Sequence, residues 1–98
     1  MARLIVAPEV QDDFDRIFDF LAAYAPDHAV SRIDEIAAAL DILQTSPQIG
    51  RFADSDGMRE LVISTGTDGY LALYRFISEL DAVFVLAVRS QRELRYQR

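Results

Sequence analysis

The hydrophobic period changes along the chain. Residues 2–7, "ARLIVA", are aliphatic and β-branched and stop at Pro8, which has no N–H to offer a ladder, so the pattern predicts a short first strand. From Pro8 the spacing becomes helical. Val10, Phe14, Ile17, Phe18 and Leu21 fall on one stripe, and Pro8 followed by Glu9, Asp12 and Asp13 suits the positive end of a helix dipole. This helix is predicted to run to about Tyr24, before Pro26. A second stripe at Ala29, Val30, Ile33, Ile36, Ala37, Leu40 and Leu43 predicts a second helix, which "TSPQIG" ends. The connection "YAPDH" is short enough to fold the two helices back as an antiparallel hairpin.

Beyond the loop "QIGRFADSDGM" the pattern turns to strands. "RELVIST" leads through "GTDG" to "YLALYRFI", and "SELD" leads on to "AVFVLAVR", giving three strands joined by two tight polar turns. The predicted fold class is α+β in the order β-α-α-β-β-β: a helical hairpin packed on a small antiparallel sheet, in one domain spanning residues 1–98. Phe14, Ile17, Leu21, Ile33 and Leu40 are the expected core between hairpin and sheet. Alternation adds a further expectation. Tyr70, Ala72, Tyr74 and Phe76 share one face, Leu71, Leu73, Arg75 and Ile77 share the other, and "AVFVLAV" is apolar on both. A hairpin covers one face only, so the second calls for a partner chain or a second copy, unless sheet twist and the loop at 48–58 shield it.

Composition narrows the class. The chain has 98 residues, 51% of them hydrophobic, which fits a single small globular domain and excludes a disordered segment. It has no cysteine, so no disulfide or thiolate-metal site can staple it, as suits a reducing compartment. Pro8 and Glu9 interrupt the opening apolar run before signal-peptide length, and no later run approaches the ~20 residues of a membrane helix. The expectation is a cytoplasmic protein. The net charge of −6 is unevenly spread: nine acids between Glu9 and Asp41 stand against Arg16 and Arg32, whereas "RSQRELRYQR", residues 89–98, carries four arginines against Glu93. All ten basic side chains are arginine.

The usual catalytic sets are missing. His28 is the single histidine, at the start of the second helix, and there is no Ser/His/Asp set, HExxH, phosphate-binding glycine loop or EF-hand. Asp12/Asp13 and Asp34/Glu35 read as solvated charge on exposed helix faces, able at most to hold a hard cation, so no metal or cofactor is expected. Arginine and tyrosine remain. Arg59 and Arg75 fall in strands, and Arg89, Arg92, Arg95 and Arg98 recur at every third position beside Tyr96. Guanidinium is too basic for proton transfer, but its planar fork grips phosphate or carboxylate; the alternative is a solubilising tail.

An acidic-faced helical hairpin followed by "SPQIGRF", "MRELVI", "GYLALYRF" and "VFVLAVRSQREL" resembles the RelE/ParE superfamily of bacterial type II toxin-antitoxin toxins, on its ParE-like, plasmid-stabilisation side. The match runs over nearly the whole chain, and the order and spacing of these five elements carry it. The resemblance implies the fold just derived. It also implies a small cognate antitoxin, ParD-like and of ribbon-helix-helix type, that wraps and neutralises the toxin in a hetero-oligomer. The helix groove and apolar sheet face assign antitoxin contact to Phe18, Tyr24, Leu71, Leu73, Arg75 and Ile77.

The superfamily holds two activities. RelE-like members are ribosome-dependent mRNA endonucleases that use arginine, lysine and tyrosine on the sheet and near the C-terminus; ParE-like members poison DNA gyrase so that cleaved DNA accumulates. Here Leu71 follows "GY" where the nucleases have arginine, their assisting lysines are absent, and Arg92 and Tyr96 match the nuclease pair only with a one-residue shift. An acidic chain would also be repelled by RNA phosphates. The expectation is therefore a non-enzymatic gyrase inhibitor with target contacts at Arg89, Arg92, Arg95 and Tyr96. Its "RSQREL" is similar to the family's "RHQRE" ending, with Ser90 in place of histidine. The alternatives are a RelE-like nuclease using Arg75, Arg92 and Tyr96, and an inert antitoxin-binding relative.

Overall fold

Two helices lie across one face of a five-stranded mixed sheet in the computed structural model, which describes residues 1–53, 57–64 and 69–98. The strands are β1 (Arg3–Val6), β2 (Arg51–Phe52), β3 (Met58–Ile63), β4 (Tyr70–Ile77) and β5 (Ala82–Ser90); the helices are α1 (Glu9–Tyr24) and α2 (Ala29–Ile42). A short 3-10 turn at Pro26–His28 closes the helical hairpin. The β4–β5 turn runs through Ser78–Leu80 to Asp81, whose φ of 47° places it in the left-handed region that aspartate tolerates better than most residues. The "GTDG" turn lies outside the described residues except for Gly69.

The α+β class and the helical hairpin are as predicted, and two features of the sheet differ. β1 pairs in parallel with β5, from Arg3 with Ala82 to Val6 with Val85, so the sheet is mixed rather than antiparallel, in the order β1-β5-β4-β3-β2. A parallel pair needs a long crossover, and here almost the whole chain lies between the partners, beyond the reach of any local pattern. Arg51 and Phe52, read as loop, form the edge strand β2 against Glu60 and Arg59.

β5 carries a bulge that decides which side chains face the helices. Leu73 pairs with Ala87 but Tyr74 pairs with Val85, which leaves Leu86 as the extra residue. Val83 and Val85 precede the bulge and Val88 follows it, yet all three are fully buried in the helix-side core. Strict alternation would have turned Val88 away.

Val10, Ile17, Leu21, Ile36, Leu40 and Leu43 pack from the helices onto Tyr70, Ala72, Tyr74 and these valines. Ile17, Leu21 and Leu40 are buried as expected, whereas Phe14 and Ile33 are only partly so. Phe18, Val30 and Ala37, expected on the apolar stripes, are exposed. The buried line of α1 runs through Val10, Asp13, Ile17 and Leu21, and each residue turns ~100° about the axis, which carries Phe14 to its margin and Phe18 past it.

The "SPQIGRF" segment is fastened to the sheet from both sides. Gly50 N–H donates to the hydroxyl of buried Tyr74 at 2.8 Å, and Arg59 donates to the carbonyls of Gln48 (3.1 Å) and Gly50 (2.8 Å) while its guanidinium lies 4.1 Å from the Phe52 ring centre. A Cβ on Gly50 would stand 2.7 Å from the Tyr74 side chain and 2.9 Å from the Glu60 carbonyl. Glycine is required here by close approach.

Candidate functional site

β1 covers β5 only as far as Val85, which leaves the backbone edge of residues 86–90 without a strand neighbour. Side chains complete it. Asp13 accepts the Val88 N–H at 3.0 Å, Arg16 donates to the Val88 carbonyl at 3.2 Å, and Arg98 donates to the Leu86 carbonyl. Asp13 also pairs with both arginines. Arg98 grips both oxygens of Asp13 (3.1 and 2.9 Å) and Arg16 reaches Asp13 at 2.8 Å. Arg16 also donates to Glu93 from Nε (2.7 Å) and Nη2 (3.2 Å), and Glu93 caps the turn after β5 by accepting the Ser90 N–H at 2.8 Å. Residues 90–98 are thus fastened along the open edge of β5.

Asp13 lies at the centre of this arrangement, with 1% of its surface exposed. It was expected to be solvated, and the structure corrects that: the residue sits on the buried line of α1. Burial disfavours its charge, but the hydrogen bonds from Arg98, Arg16 and the Val88 N–H outweigh burial and hold its pKa below the ordinary carboxylate value. Burial disfavours the charge of Arg16, but Glu93 and Asp13 outweigh it and raise its pKa, and Asp13 raises that of Arg98.

The far face of the sheet carries a second cluster. By register Glu60, Leu71, Leu73, Arg75 and Arg89 share this face. Tyr96 returns onto it and donates its hydroxyl to Glu60 Oε2 at 2.7 Å, Arg51 donates to Glu60 Oε1 at 2.6 Å, and the Arg89 guanidinium lies 5.2 Å from the Tyr96 ring centre. Arg89 also donates to the carbonyls of Ser90 (3.2 Å) and Glu93. Burial and the Glu60 carboxylate push the Tyr96 phenol well above its ordinary pKa. At Glu60 burial opposes the charge, but the bonds from Tyr96 and Arg51 prevail and lower the pKa.

On the opposite, helix side a cavity of about 320 Å³ opens between the hairpin and the end of β5. Ile17, Phe20, Leu21 and Tyr70 make it apolar, and Arg16, Arg32, Arg92 and Glu93 also line it, Glu93 being paired with Arg16. Phe20 extends outward in a tilted stack on Tyr24, ring centres 4.7 Å apart. Among the described residues no group of three His, Cys, Asp or Glu side chains converges as a metal site would, and no helix is long and apolar enough to cross a membrane.

The residues singled out in the sequence fall on separate surfaces. Arg75, Arg89 and Tyr96 share the far sheet face, with Tyr96 beside Arg89 and Glu60, whereas Arg92 stands on the hairpin side and Arg95 is exposed on the loop between. Phe18 and Tyr24 are exposed on α1, while Leu73, Arg75 and Ile77 are half-buried on the far face and Leu71 is 5% exposed. Tyr96 supplies part of the cover that this face was expected to need. The four arginines at every third position are not a uniform tail: Arg89 and Arg98 are engaged within the protein.

The family model described as "ParE toxin of type II toxin-antitoxin system, parDE" matches residues 4–95. The chain belongs to the ParE toxin family. Toxin RelE3 of Caulobacter vibrioides is 32% identical over 95 residues, covering 97% of this chain and 100% of that protein. Among solved structures, the fold is shared with the chromosomal ParDE system from P. aeruginosa (TM-score 0.78, 20% identity, 92% of this chain and 96% of that one). It is shared also with the E. coli RelBE toxin-antitoxin complex (TM-score 0.67, 15% identity, 95% of this chain and 100% of that one). This ParE-family chain is therefore a type II toxin of the RelE/ParE superfamily.

The internal ties of Asp13, Glu60 and Glu93 in this ParE-family toxin were not read from sequence, where Asp13 reads as solvated charge. Asp13 had left a signal, an acid standing three residues after Val10 and four before Ile17, in line with the apolar stripe. Glu60 and Glu93 had left none, because their partners Tyr96, Arg51 and Arg16 come from distant segments.

Proposed function

We propose that this toxin acts in the cytoplasm by engaging DNA gyrase through its C-terminal loop, without enzymatic activity of its own, and that a ParD-like antitoxin neutralises it. The observation that carries this reading is the bond from Tyr96 to Glu60. A phenol committed to a carboxylate, with its pKa raised, is a poor proton donor and unavailable as a base at neutral pH. Arg92 stands on the other side of the sheet from Arg75 and Tyr96, so the three do not converge on one scissile phosphate. The net charge of −6 also weighs against an RNA-dependent affinity.

Antitoxin contact fits the arginine-lined cavity with the neighbouring aromatic pair Phe20 and Tyr24. An apolar anchor beside a carboxylate, on an amphipathic antitoxin helix, matches the apolar lining and the excess of arginine over Glu93 around it. Phe18 lies on the other flank of α1, roughly 160° around the helix from Phe20, and offers a separate contact, as do Leu73, Arg75 and Ile77, for an antitoxin that wraps the toxin. The RelE-like nuclease reading draws on one observation, the gathering of Arg75, Arg89 and Tyr96 on a single face.

Induction of the chain alone in a bacterium distinguishes the two. Gyrase poisoning gives filamentous cells with broken DNA, and purified protein inhibits supercoiling by gyrase; Tyr96→Phe then keeps activity within a few-fold. A nuclease stops translation, cuts ribosome-bound mRNA and loses that cutting in Tyr96→Phe. Growth unaffected by the wild-type chain would leave only the inert antitoxin-binding relative.

A further inference from the structure

The C-terminal loop is tied down on both sides of a leucine that points into solvent. Leu94 is 98% exposed, and exposed Arg92 and Arg95 flank it. Before it, Glu93 is bonded to the Ser90 N–H and to Arg16, and its carbonyl accepts Arg89. After it, Tyr96 is bonded to Glu60 and Arg98 to Asp13. A single exposed leucine is ordinary by itself. Here, however, side chains from α1, β3 and β5 hold the segment in place. Capping the β5 edge does not need a leucine at this position, because none of the ties involves the Leu94 side chain.

We propose that Leu94 is a recognition knob, presented between Arg92 and Arg95, for a protein surface bearing an apolar socket edged by carboxylates. The proposal rests on reading the C-terminal loop as the target-contacting element, and it names the chemistry of the target. An apolar anchor in a desolvated socket supplies most of the affinity at such a contact, and the flanking charges supply orientation and encounter rate. Ties on both sides of the knob lower the entropy lost on binding. A nucleic-acid backbone offers no matching socket, and stacking on bases favours aromatic and guanidinium groups over leucine.

The test is induction of the wild-type chain and of Leu94→Met, Leu94→Ser, Leu94→Asp and Leu94→Lys in a bacterium. Surviving colonies are counted, and each purified protein is assayed for melting temperature and self-association. Leu94→Met should arrest growth as the wild type does, while the Ser, Asp and Lys variants should each weaken target binding at least about tenfold, ~1.4 kcal/mol, and so raise survival, with melting temperature unchanged. Full arrest by Leu94→Ser or Leu94→Asp overturns the proposal. Arrest by Leu94→Lys equal to or stronger than wild type overturns it in favour of a nucleic-acid contact, and self-association lost in Leu94→Asp overturns it in favour of a second copy. A fall in melting temperature assigns the residue a structural role and overturns it, as does a harmless wild-type chain. Failure of the gyrase reading is seen separately, as arrest without DNA damage, and leaves the ranking of the Leu94 variants to be read on its own.

Discussion

Asp13 and Arg98 meet in a two-pronged ion pair, Nη1 to Oδ1 at 3.1 Å and Nη2 to Oδ2 at 2.9 Å, across 85 positions of sequence. The pair joins α1 to the C-terminal loop, and Arg16 extends it to Glu93. Removing the central carboxylate leaves the buried Val88 N–H without its acceptor and Arg98 without its carboxylate partner, while Arg16 keeps Glu93. Asp13→Ala should cost about 2–3 kcal/mol, below the ~3–5 of a wholly buried pair because both arginines keep roughly a third of their surface in water. Arg98→Ala, which leaves Arg16 in place, should cost only ~1 kcal/mol. Urea unfolding of the two variants checks the order, and equal costs would mean that Asp13 is not the centre of the arrangement.

The lowered pKa values of Asp13 and Glu60 set the response to acid. A carboxylate whose folded pKa lies below its unfolded value contributes stability that is complete above the ordinary carboxylate range, near pH 4, and is lost as pH falls through the folded pKa. Stability should therefore drop steeply below about pH 4, and Asp13→Asn should flatten that limb. Tyr96, raised, behaves in the opposite sense: its contribution is complete below about pH 10 and is lost as pH rises through the higher folded value. Parallel acid limbs for wild type and Asp13→Asn would contradict the assignment.

Gly50→Ala places a methyl group 2.7 Å from the Tyr74 ring and hydroxyl and 2.9 Å from the Glu60 carbonyl. The backbone must shift, the Gly50–Tyr74 hydrogen bond must lengthen, and the cost should be about 1–3 kcal/mol. Gly50→Ala combined with Tyr74→Phe separates the clash from the lost bond: the double variant should cost less than the two single costs added together, since they share one bond.

Leu40→Ala removes a buried side chain where α2 meets the sheet. The cavity left behind should lower stability by about 2–5 kcal/mol, a large share of what a domain of this size has, and toxicity should fall with the folded population. An unchanged melting temperature would show that the apolar face of α2 is placed wrongly.

Local pattern sufficed for what depends on neighbours in sequence. The 3.6-residue stripes located α1 and α2, alternation and polar turns located β3, β4 and β5, and the order of the motifs indicated the toxin superfamily. Long-range pairing decided the rest. The parallel seat of β1 beside β5, the short strand β2 and the bulge at Leu86 depend on segments far apart in the chain, and the bulge alone carries Val88 to the helix side. The C-terminal arginines separate in the same way: spacing shows four alike, but Arg98 is held by a carboxylate on α1, Arg89 lies over Tyr96, Arg92 lines the helix-side cavity and Arg95 is exposed. A charge acquires its role from the partner that folding brings within hydrogen-bonding distance, and no periodicity in the sequence encodes that distance.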